Sequence, residues 1–327
     1  MLYPLIFNPV FKNYLWGGRR LSEFGKQLPE GCIVAESWEI SSHPDGESVV
    51  ANGEFKGQTL TWLVEQFGAQ LVGNDLPDEK VKKFPLLVKF IDAKDSLSVQ
   101  VHPDDEFAFN NENGELGKNE MWYIMASLPD SRLVYDVTPG TTRESFARAV
   151  DEGRIQDCLG YLPVKAGDFV DIPAGMLHAI GAGIVLAEIQ QNSNTTYRVY
   201  DFDRTDAAGN TRELHIEKAL DVIDFDTDSH AGMVAGEITE KSDTLTKTSL
   251  VKNDYFTVEK LEIEGSISEH ADGSRFLIYV VLEGICNIKY KDNSISLDKG
   301  TSVLIPASLG DFEICGSLTA LKAYVPS

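Results

Sequence analysis

The segment from Gly167 to His178 constrains the fold of this chain more than any other part of the sequence. It reads GDFVDIPAGMLH, which has the pattern G-x5-P-x-G-x2-H. The pattern predicts a strand of alternating residues, a turn at the proline and glycine, and a histidine that opens the return strand. Because this arrangement is typical of small β-barrels that hold a metal ion, we expect His178 to point into the mouth of a barrel.

Strand-like segments, rich in β-branched and aromatic residues, outnumber helix-like ones along the chain. The clearest strands of the first two thirds are expected at residues 33–41, 84–90, 97–102, 122–126, 169–172 and 184–190. Further short strands are expected at residues 255–264, 276–282, 285–290 and 301–306. Helical spacing occurs at residues 60–67, 142–153 and 215–224. The sequence therefore predicts an antiparallel β core with a few attached helices rather than alternating βαβ units.

A polar, acidic stretch between residues 224 and 246 lacks periodicity and predicts a domain boundary. We expect residues 1–235 to form a metal-binding domain with helical additions and residues 236–327 to form a smaller domain without a metal. The second domain contains Gly300–Pro306, which repeats the G-x5-P half of the first motif but continues without a histidine. We therefore expect two barrels of similar architecture. The alternative is a chance match, since G-x5-P is common near strand ends.

The acidic composition excludes some classes of function. A formal net charge of −22 leaves no basic face to neutralise the phosphates of nucleic acid. If the substrate is anionic, a few lysines and arginines inside the site must attract it against the repulsion of the protein's net negative charge. No stretch has the length of a membrane span, and the apolar N-terminus lacks the pattern of a signal peptide. We predict a cytoplasmic protein, and its four scattered cysteines predict no disulfide framework.

Three more side chains could join His178 in a metal site. Gln100 and His102 lie two positions apart in a predicted strand, so both point to the same side of it. Glu120 begins another strand-like segment. This set supplies the nitrogen and oxygen ligands that Zn²⁺ or a similar ion uses when one position stays open for substrate. The other histidines are expected to be structural or solvent-facing: His43, His215, His230 and His270.

Several motifs together resemble those of one enzyme family. SVQVHPDD, GKNEMW, PAGMLHAIGAG and NTTYRVYDFDR occur in the order and spacing of the type I mannose-6-phosphate isomerases, in their short bacterial form. ESWEIS and YLWGG are similar to the same family. The resemblance implies a mainly β fold of two cupin-type (jelly-roll) barrels with one Zn²⁺ per chain. It also implies that D-mannose 6-phosphate and D-fructose 6-phosphate are interconverted through a cis-enediol.

Carried over to matching positions, the resemblance implies roles for individual residues. The zinc ligands would be Gln100, His102, Glu120 and His178. The catalytic positions match Arg198, Glu188 and Lys118. Substrate or phosphate contacts are expected from Ser98, Lys89, Arg204 and Trp16. The substrate implied is a hexose phosphate, and the oligomeric state is not predicted.

The residues alone leave the general base and the class of function open. The base could be the Glu188 carboxylate, the Lys118 amine or a hydroxide ion on the zinc. A cupin oxygenase with Fe²⁺ is a second hypothesis, but it favours three imidazoles or a facial triad and only two histidines are well placed. A non-catalytic sugar-phosphate sensor is a third. The intact ligand set together with Arg198 favours an enzyme over a sensor.

Overall fold

The computed structural model describes residues 1–76, 83–205, 208–226 and 235–326. Within these residues the chain is mainly β, as predicted. The strands are β1 (Leu5–Asn8), β2 (Val10–Lys12), β3 (Glu36–Ile40), β4 (Val49–Val50), β5 (Leu86–Ala93), β6 (Val99–Val101), β7 (Glu120–Ser127), β8 (Arg132–Val137), β9 (Leu159–Pro163), β10 (Phe169–Ile172), β11 (His178–Ala179), β12 (Ile184–Gln191), β13 (Tyr197–Tyr200), β14 (Glu237–Lys241), β15 (Leu245–Lys252), β16 (Thr257–Ala271), β17 (Leu277–Tyr290), β18 (Asn293–Asp298), β19 (Ser302–Ile305) and β20 (Gly310–Tyr324). The α-helices are α1 (Leu60–Phe67), α2 (Ala69–Val72), α3 (Asp105–Asn111), α4 (Arg143–Asp151) and α5 (Ile216–Val222), and 3-10 helices cover Arg20–Phe24 and Ile155–Cys158.

These strands form three antiparallel sheets. A nine-stranded sheet has the order β14–β15–β16–β20–β17–β19–β1–β4, with β18 beside β17. A six-stranded sheet has the order β10–β7–β12–β5–β3–β2, and a five-stranded sheet has the order β13–β6–β11–β8–β9. None of the three closes on itself within the described residues. The mainly β class is thus confirmed, whereas the two predicted barrels are not seen as closed sheets.

The six-stranded sheet lies between the other two, because successive side chains of β12 pack into cores on opposite faces of it. Ile184 and Leu186 pack with Trp122 in the core that faces the five-stranded sheet. Val185 and Ala187 point the other way, into the core shared with the nine-stranded sheet. Because both faces of β12 are buried, its residues form a continuous apolar run interrupted only where the strand reaches the candidate site.

Helices α4 and α5 cover the outer face of the five-stranded sheet. Phe146 of α4 packs in one core with Val99 and Val101 of β6. The helix begins after Thr142, whose hydroxyl accepts a hydrogen bond from the Ser145 N–H and so satisfies an unpaired donor of the first turn. Because the two valines point toward the helices, Gln100 between them points the other way, toward the six-stranded sheet. No helix among the described residues is long and apolar enough to cross a membrane.

The G-x5-P-x-G-x2-H segment folds as its pattern predicts. Strand β10 occupies residues 169–172, a turn follows, and His178 opens β11. The glycines are needed because Gly167 and Gly175 have φ values of 92° and 88°, which side chains with a Cβ rarely adopt. The Gly175 N–H donates to the His102 carbonyl oxygen at 2.9 Å. This bond ties the turn to the end of the strand that carries the other candidate histidine ligand.

The predicted domain boundary at residue 235 adjoins residues 227–234, which lie outside the described residues, as does His230. The division into residues 1–235 and 236–327 remains a prediction. The N-terminal strand nevertheless joins the C-terminal sheet, since Leu5 of β1 pairs with Leu304 of β19. Strand β19 and the turn before β20 arise from the second G-x5-P segment, as β10 and the turn before β11 arise from the first.

Candidate metal centre

Three predicted site residues lie side by side across the five-stranded sheet. Gln100 of β6 is directly opposite His178 of β11 on one side and Arg198 of β13 on the other. Directly opposed residues in an antiparallel sheet project to the same face. The row therefore presents an amide, an imidazole and a guanidinium to the space between this sheet and the six-stranded sheet.

The six-stranded sheet supplies the opposite wall of the site. Glu188 of β12 pairs with Lys89 of β5 and with Trp122 of β7. Glu120 lies two residues before Trp122, so it shares the same face of β7. All four side chains are buried. The loop before Glu120 is fixed by Asn119, whose backbone and side-chain nitrogens donate to the Gln191 amide oxygen at 3.0 and 2.7 Å.

Potential ligand atoms of His102, Glu120 and His178 all lie within 4.8 Å of one another. The two Nε2 atoms are 3.1 Å apart. The Glu120 carboxylate places Oε1 3.3 Å from Nε2 of His102 and Oε2 3.7 Å from Nε2 of His178. The amide of Gln100 lies 3.4 Å from Nε2 of His178. The four side chains predicted as ligands therefore lie close together, and their role as metal ligands stays a prediction.

The hydrogen bonds of the two imidazoles indicate what belongs at that point. Nδ1 of His102 lies 2.9 Å from the Thr195 carbonyl oxygen, and Nδ1 of His178 lies 2.9 Å from the Met176 carbonyl oxygen. A carbonyl can only accept, so both Nδ1 atoms carry the proton. Burial and then Lys118 lower the pKa of His102 to about 3, and burial lowers the pKa of His178. Both rings are neutral, and their Nε2 lone pairs face each other as in a metal site.

The carboxylate of Glu120 is ionised and could therefore serve as an anionic ligand. Burial alone would raise the pKa of Glu120, but Lys118 and then His102 hold it well below its usual range. The Lys118 ammonium lies 2.8 Å from Oε1 of Glu120 and 3.2 Å from Nε2 of His102. Two neutral imidazoles, one carboxylate and one amide match the ligands of a divalent ion such as Zn²⁺.

A cavity of about 240 Å³ opens above this centre. Its lining includes the predicted residues Trp16, Lys89, Ser98, Gln100, Lys118, Glu188 and Arg198. It also includes four residues that lie within the quoted motifs but were not predicted for the site, Tyr14, Glu36, Asn194 and Thr196. Arg212 lines the cavity too and lies outside those motifs. Arg204 lies outside the lining. Its guanidinium donates to the Ser96 carbonyl oxygen and to the carboxylate of Asp201 instead.

One end of the cavity is cationic. Arg198 donates through Nε to the Ser98 hydroxyl at 3.3 Å and through Nη1 to the Glu213 carbonyl oxygen at 2.9 Å. Arg212 lines the same cavity and is held by Asp201, to which its Nε donates at 2.7 Å. The pKa of Arg198 is lowered mainly by burial and, to a smaller extent, by the charge of Arg212. The second cause reflects the positive potential that the two guanidinium groups create at this end. An anionic group of a substrate would be favoured here despite the acidic surface.

The opposite wall holds a buried charge network. The Lys89 ammonium lies 3.0 Å from Oε1 of Glu188 and 4.0 Å from Oε2 of Glu36. Burial alone would lower the pKa of Lys89, but these two carboxylates raise it above its usual value. The pKa of Glu188 is raised by burial and then by Glu120. The indole Nε1 of Trp122 donates to Oε2 of Glu188 at 2.8 Å and fixes the carboxylate at the cavity wall.

Comparison with known proteins shows which family this chain belongs to. A model of the phosphomannose isomerase type I catalytic domain matches residues 5–123, and a model of the mannose-6-phosphate isomerase cupin domain matches residues 246–325. The chain is 42% identical to the mannose-6-phosphate isomerase ManA of Bacillus subtilis over 326 residues, which is 98% of this chain and 99% of that protein. This chain belongs to the type I mannose-6-phosphate isomerase family.

Solved structures agree with that membership. The crystal structure of a mannose 6-phosphate isomerase from Bacillus subtilis superposes with a TM-score of 0.89 at 37% identity, covering 98% of this chain and 99% of that one. A mannose 6-phosphate isomerase bound with zinc and yttrium superposes with a TM-score of 0.77 at 15% identity over the full length of both chains. The second likeness shows a shared fold.

Arg212 is the cavity residue of this family member that sequence motifs miss most clearly. It lies fourteen positions after Arg198 and reaches the cavity because Asp201 binds both Arg212 and Arg204. The sequence feature that could have pointed to Arg212 is the cluster of Arg198, Arg204 and Arg212 within a strongly acidic chain. That signal gives no means of deciding which arginine faces the cavity, because the loop conformation decides it.

Proposed function

We propose that this protein is a zinc-dependent aldose–ketose isomerase that interconverts D-mannose 6-phosphate and D-fructose 6-phosphate. The observation that carries the proposal is the pair of buried, neutral imidazoles whose Nε2 atoms face each other beside Glu120, beneath a cavity with two arginines at one end. The relative that is 42% identical over nearly the whole chain is named as a mannose-6-phosphate isomerase, which supports the choice of substrate.

The metal would be held by His102, Glu120 and His178, with the amide of Gln100 as a fourth ligand. A zinc ion at this position supplies Lewis acidity to the oxygens of a bound sugar. The carbonyls of Thr195 and Met176 orient the imidazoles by accepting their Nδ1 protons. The zinc-bound relative of the same fold supports zinc as the ion.

The phosphate of the substrate would bind at the cationic end of the cavity. Arg198 and Arg212 offer planar N–H groups that suit phosphate oxygens, and the Ser98 hydroxyl lies 3.3 Å from Nε of Arg198. A sugar bound with its phosphate at that end would extend its carbons toward Glu188 and Lys118, which line the same cavity. Trp16 presents an aromatic wall on which an apolar face of the sugar could rest.

Glu188 would move the proton between C1 and C2. Its carboxylate lines the cavity, and burial raises its pKa, so it gains basicity compared with an exposed glutamate. Lys89 and Trp122 hold its two oxygens in place. When the proton leaves one carbon and the neighbouring hydroxyl passes its proton to the carbonyl oxygen, a cis-enediol results. The same carboxylate would return its proton to the other carbon on the same face. Lys118 lies against Glu120 and would orient that ligand and a sugar hydroxyl.

The fold supports a related proposal about architecture. We infer that the facing five- and six-stranded sheets form one cupin-type (jelly-roll) unit and that the C-terminal sheet forms a second. The match of residues 246–325 to a cupin-domain model supports the second unit. The continuous core between the two facing sheets supports the first. We keep the division into residues 1–235 and 236–327 as a proposal, with strands β1 and β4 of the first part completing the sheet of the second.

A coupled assay tests the function. The purified protein is incubated with fructose 6-phosphate, and formation of mannose 6-phosphate is followed before chelation, after chelation and after zinc is restored. Activity that chelator removes and zinc restores is the expected result. Stoichiometric zinc without turnover would contradict the proposal and favour the sugar-phosphate sensor.

A further inference from the structure

The C-terminal sheet repeats the strand pairing that builds the metal centre. In the first half of the chain, Ile172 pairs with Glu120, and six positions later His178 pairs with Gln100. These two pairs fix the positions of three metal ligands relative to the turn after the G-x5-P segment.

The second copy has the same register with different residues. Ile305 pairs with Leu277, and six positions later Asp311 pairs with His270. Leu277, His270 and Asp311 thus occupy the positions of Glu120, Gln100 and His178. Within the described residues, no second group of histidine, cysteine and carboxylate side chains converges in the way the first group does. The second copy thus has the same strand framework as the first, with other side chains at the positions of the three proposed ligands.

The repeat extends to the buried charges behind the ligands. In the first copy, Glu188 pairs on one side with Lys89 and on the other with Trp122. In the second copy, Lys322 pairs on one side with Glu259 and on the other with Tyr279. The central residue is an acid in the first copy and a base in the second, and its charged neighbour changes in the opposite way. The other neighbour is aromatic in both copies, Trp122 in the first and Tyr279 in the second.

A cavity of about 320 Å³ lies at this place in the second copy. Its lining includes His270, Leu277 and Lys322 of the repeated framework. The side chain of Lys322 is 9% exposed, and its ammonium lies 2.9 and 2.8 Å from the two carboxylate oxygens of Glu269. It also lies 5.7 Å from the centre of the Tyr279 ring. A charged group this buried is costly to maintain unless it is paired, and here the pair forms part of a cavity wall.

We propose that this cavity is a second, metal-free binding site that takes an uncharged polyhydroxylated ligand of monosaccharide size. The described lining carries three cationic side chains and three carboxylates, which are Lys247, Arg275, Lys322, Glu259, Glu269 and Asp272. With these charges balanced, the cavity offers no net attraction for a phosphate. A hydroxyl group can donate to a carboxylate and accept from an ammonium at once, so it suits such a wall. The volume lies near the lower end for small-molecule sites.

The test measures binding of D-mannose to the full-length protein by calorimetry and by ligand-observed NMR. The variants are Lys322→Met and Glu259→Gln, and the matched control is Lys289→Met, which changes an exposed lysine of the same domain. We expect each cavity variant to weaken D-mannose binding at least about tenfold, because each loses a charge-assisted hydrogen bond. The control should bind like the wild type, and inorganic phosphate should not displace the sugar.

Two results would overturn the proposal. One is D-mannose binding that is unchanged in both cavity variants, since the sugar would then bind elsewhere, as in the metal-containing cavity. The other is the absence of D-mannose binding by the wild type. Replacing Lys322 leaves the partly buried Glu269 carboxylate without its partner, so Lys322→Met could fail to fold. In that case Glu259→Gln decides the question. The outcome does not depend on isomerase activity, which the coupled assay measures separately.

Discussion

The Nε2 atoms of His102 and His178 lie 3.1 Å apart while both Nδ1 protons are committed to backbone carbonyls. Two neutral imidazoles in this arrangement turn lone pairs toward each other, which is unfavourable unless a cation lies between them. The buried carboxylate of Glu120 adds a negative charge to the same point. The metal ion proposed for this point would accept both lone pairs and balance the carboxylate, and the first prediction follows from this.

Replacing Glu120 by Gln should remove the only formal negative charge among the four proposed ligands. We expect zinc content to fall well below one equivalent per chain and isomerase activity to fall at least about 100-fold, since ligand and nearby substitutions commonly cost that much in affinity or activity. Metal content by mass spectrometry and the coupled assay provide the measurement. Glu144→Gln, on the exposed first turn of α4, is the control. Full zinc occupancy in Glu120→Gln would remove this residue from the ligand set.

The arginines at the cationic end should act mainly on substrate binding. Arg198→Met and Arg212→Met each remove a charge-assisted contact worth about 1.5–3 kcal/mol, so KM for the phosphorylated sugar should rise about 10- to 150-fold. Steady-state kinetics with fructose 6-phosphate measure this rise. Arg204→Met should have a smaller effect, because Arg204 lies outside the cavity lining and acts through Asp201. Equal effects of Arg204→Met and Arg212→Met would contradict this order.

Glu188→Gln tests the assignment of the general base. The substitution keeps the size of the side chain and its contact with Trp122 but removes the basic oxygen, so kcat should fall about 10²- to 10⁴-fold. Zinc content should stay at the wild-type level because Glu188 is not a proposed ligand. Trp122→Phe loses only the hydrogen bond to Oε2 and should lower kcat less. A Glu188→Gln variant with nearly wild-type kcat would transfer the role to Lys118.

Local patterns were sufficient for the elements that form most of the first site. Strand β10 at residues 169–172 and helix α1 at residues 60–67 have the bounds predicted from alternation and helical spacing. The two-residue spacing in β6 correctly predicted that Gln100 and His102 share one side. These features depend on near neighbours in sequence, which is why the sequence carries them.

The elements and site residues that were not predicted depend mostly on contacts between segments far apart in the sequence. Strand β20, residues 310–324, was not predicted, because its mixed composition becomes a strand through pairing with β16 and β17 on both sides. Helix α3 was also missed, although Asp104 caps it by accepting from the Phe107 N–H. Arg212 reaches the cavity only through a loop held by Asp201. The repeated register of the two halves likewise appears only when the strands are paired.

Asp171 links the half of the chain that carries the candidate metal centre to the C-terminal half. It lies on β10, and its Oδ1 accepts a hydrogen bond from the Asn253 amide at 3.4 Å. Burial raises the pKa of Asp171 to about 6, against the opposing effect of that hydrogen bond. Since an unfolded aspartate titrates near 3.9, folding favours the protonated form. The resulting stability is fully present below about pH 4 and is lost as the pH rises through about 6.

Asp171→Asn should therefore stabilise the protein at neutral pH and not at acid pH. The neutral amide avoids burying a carboxylate, a cost of up to about 3 kcal/mol for a shift of about two pKa units. We expect the melting temperature to exceed that of the wild type by a few degrees at pH 7.5 and the difference to disappear near pH 4. Melting is measured with zinc removed from both proteins, and Asp254→Asn, at an exposed neighbouring position, is the control. A difference that is the same at both pH values would show that Asp171 acts by packing and not by its charge.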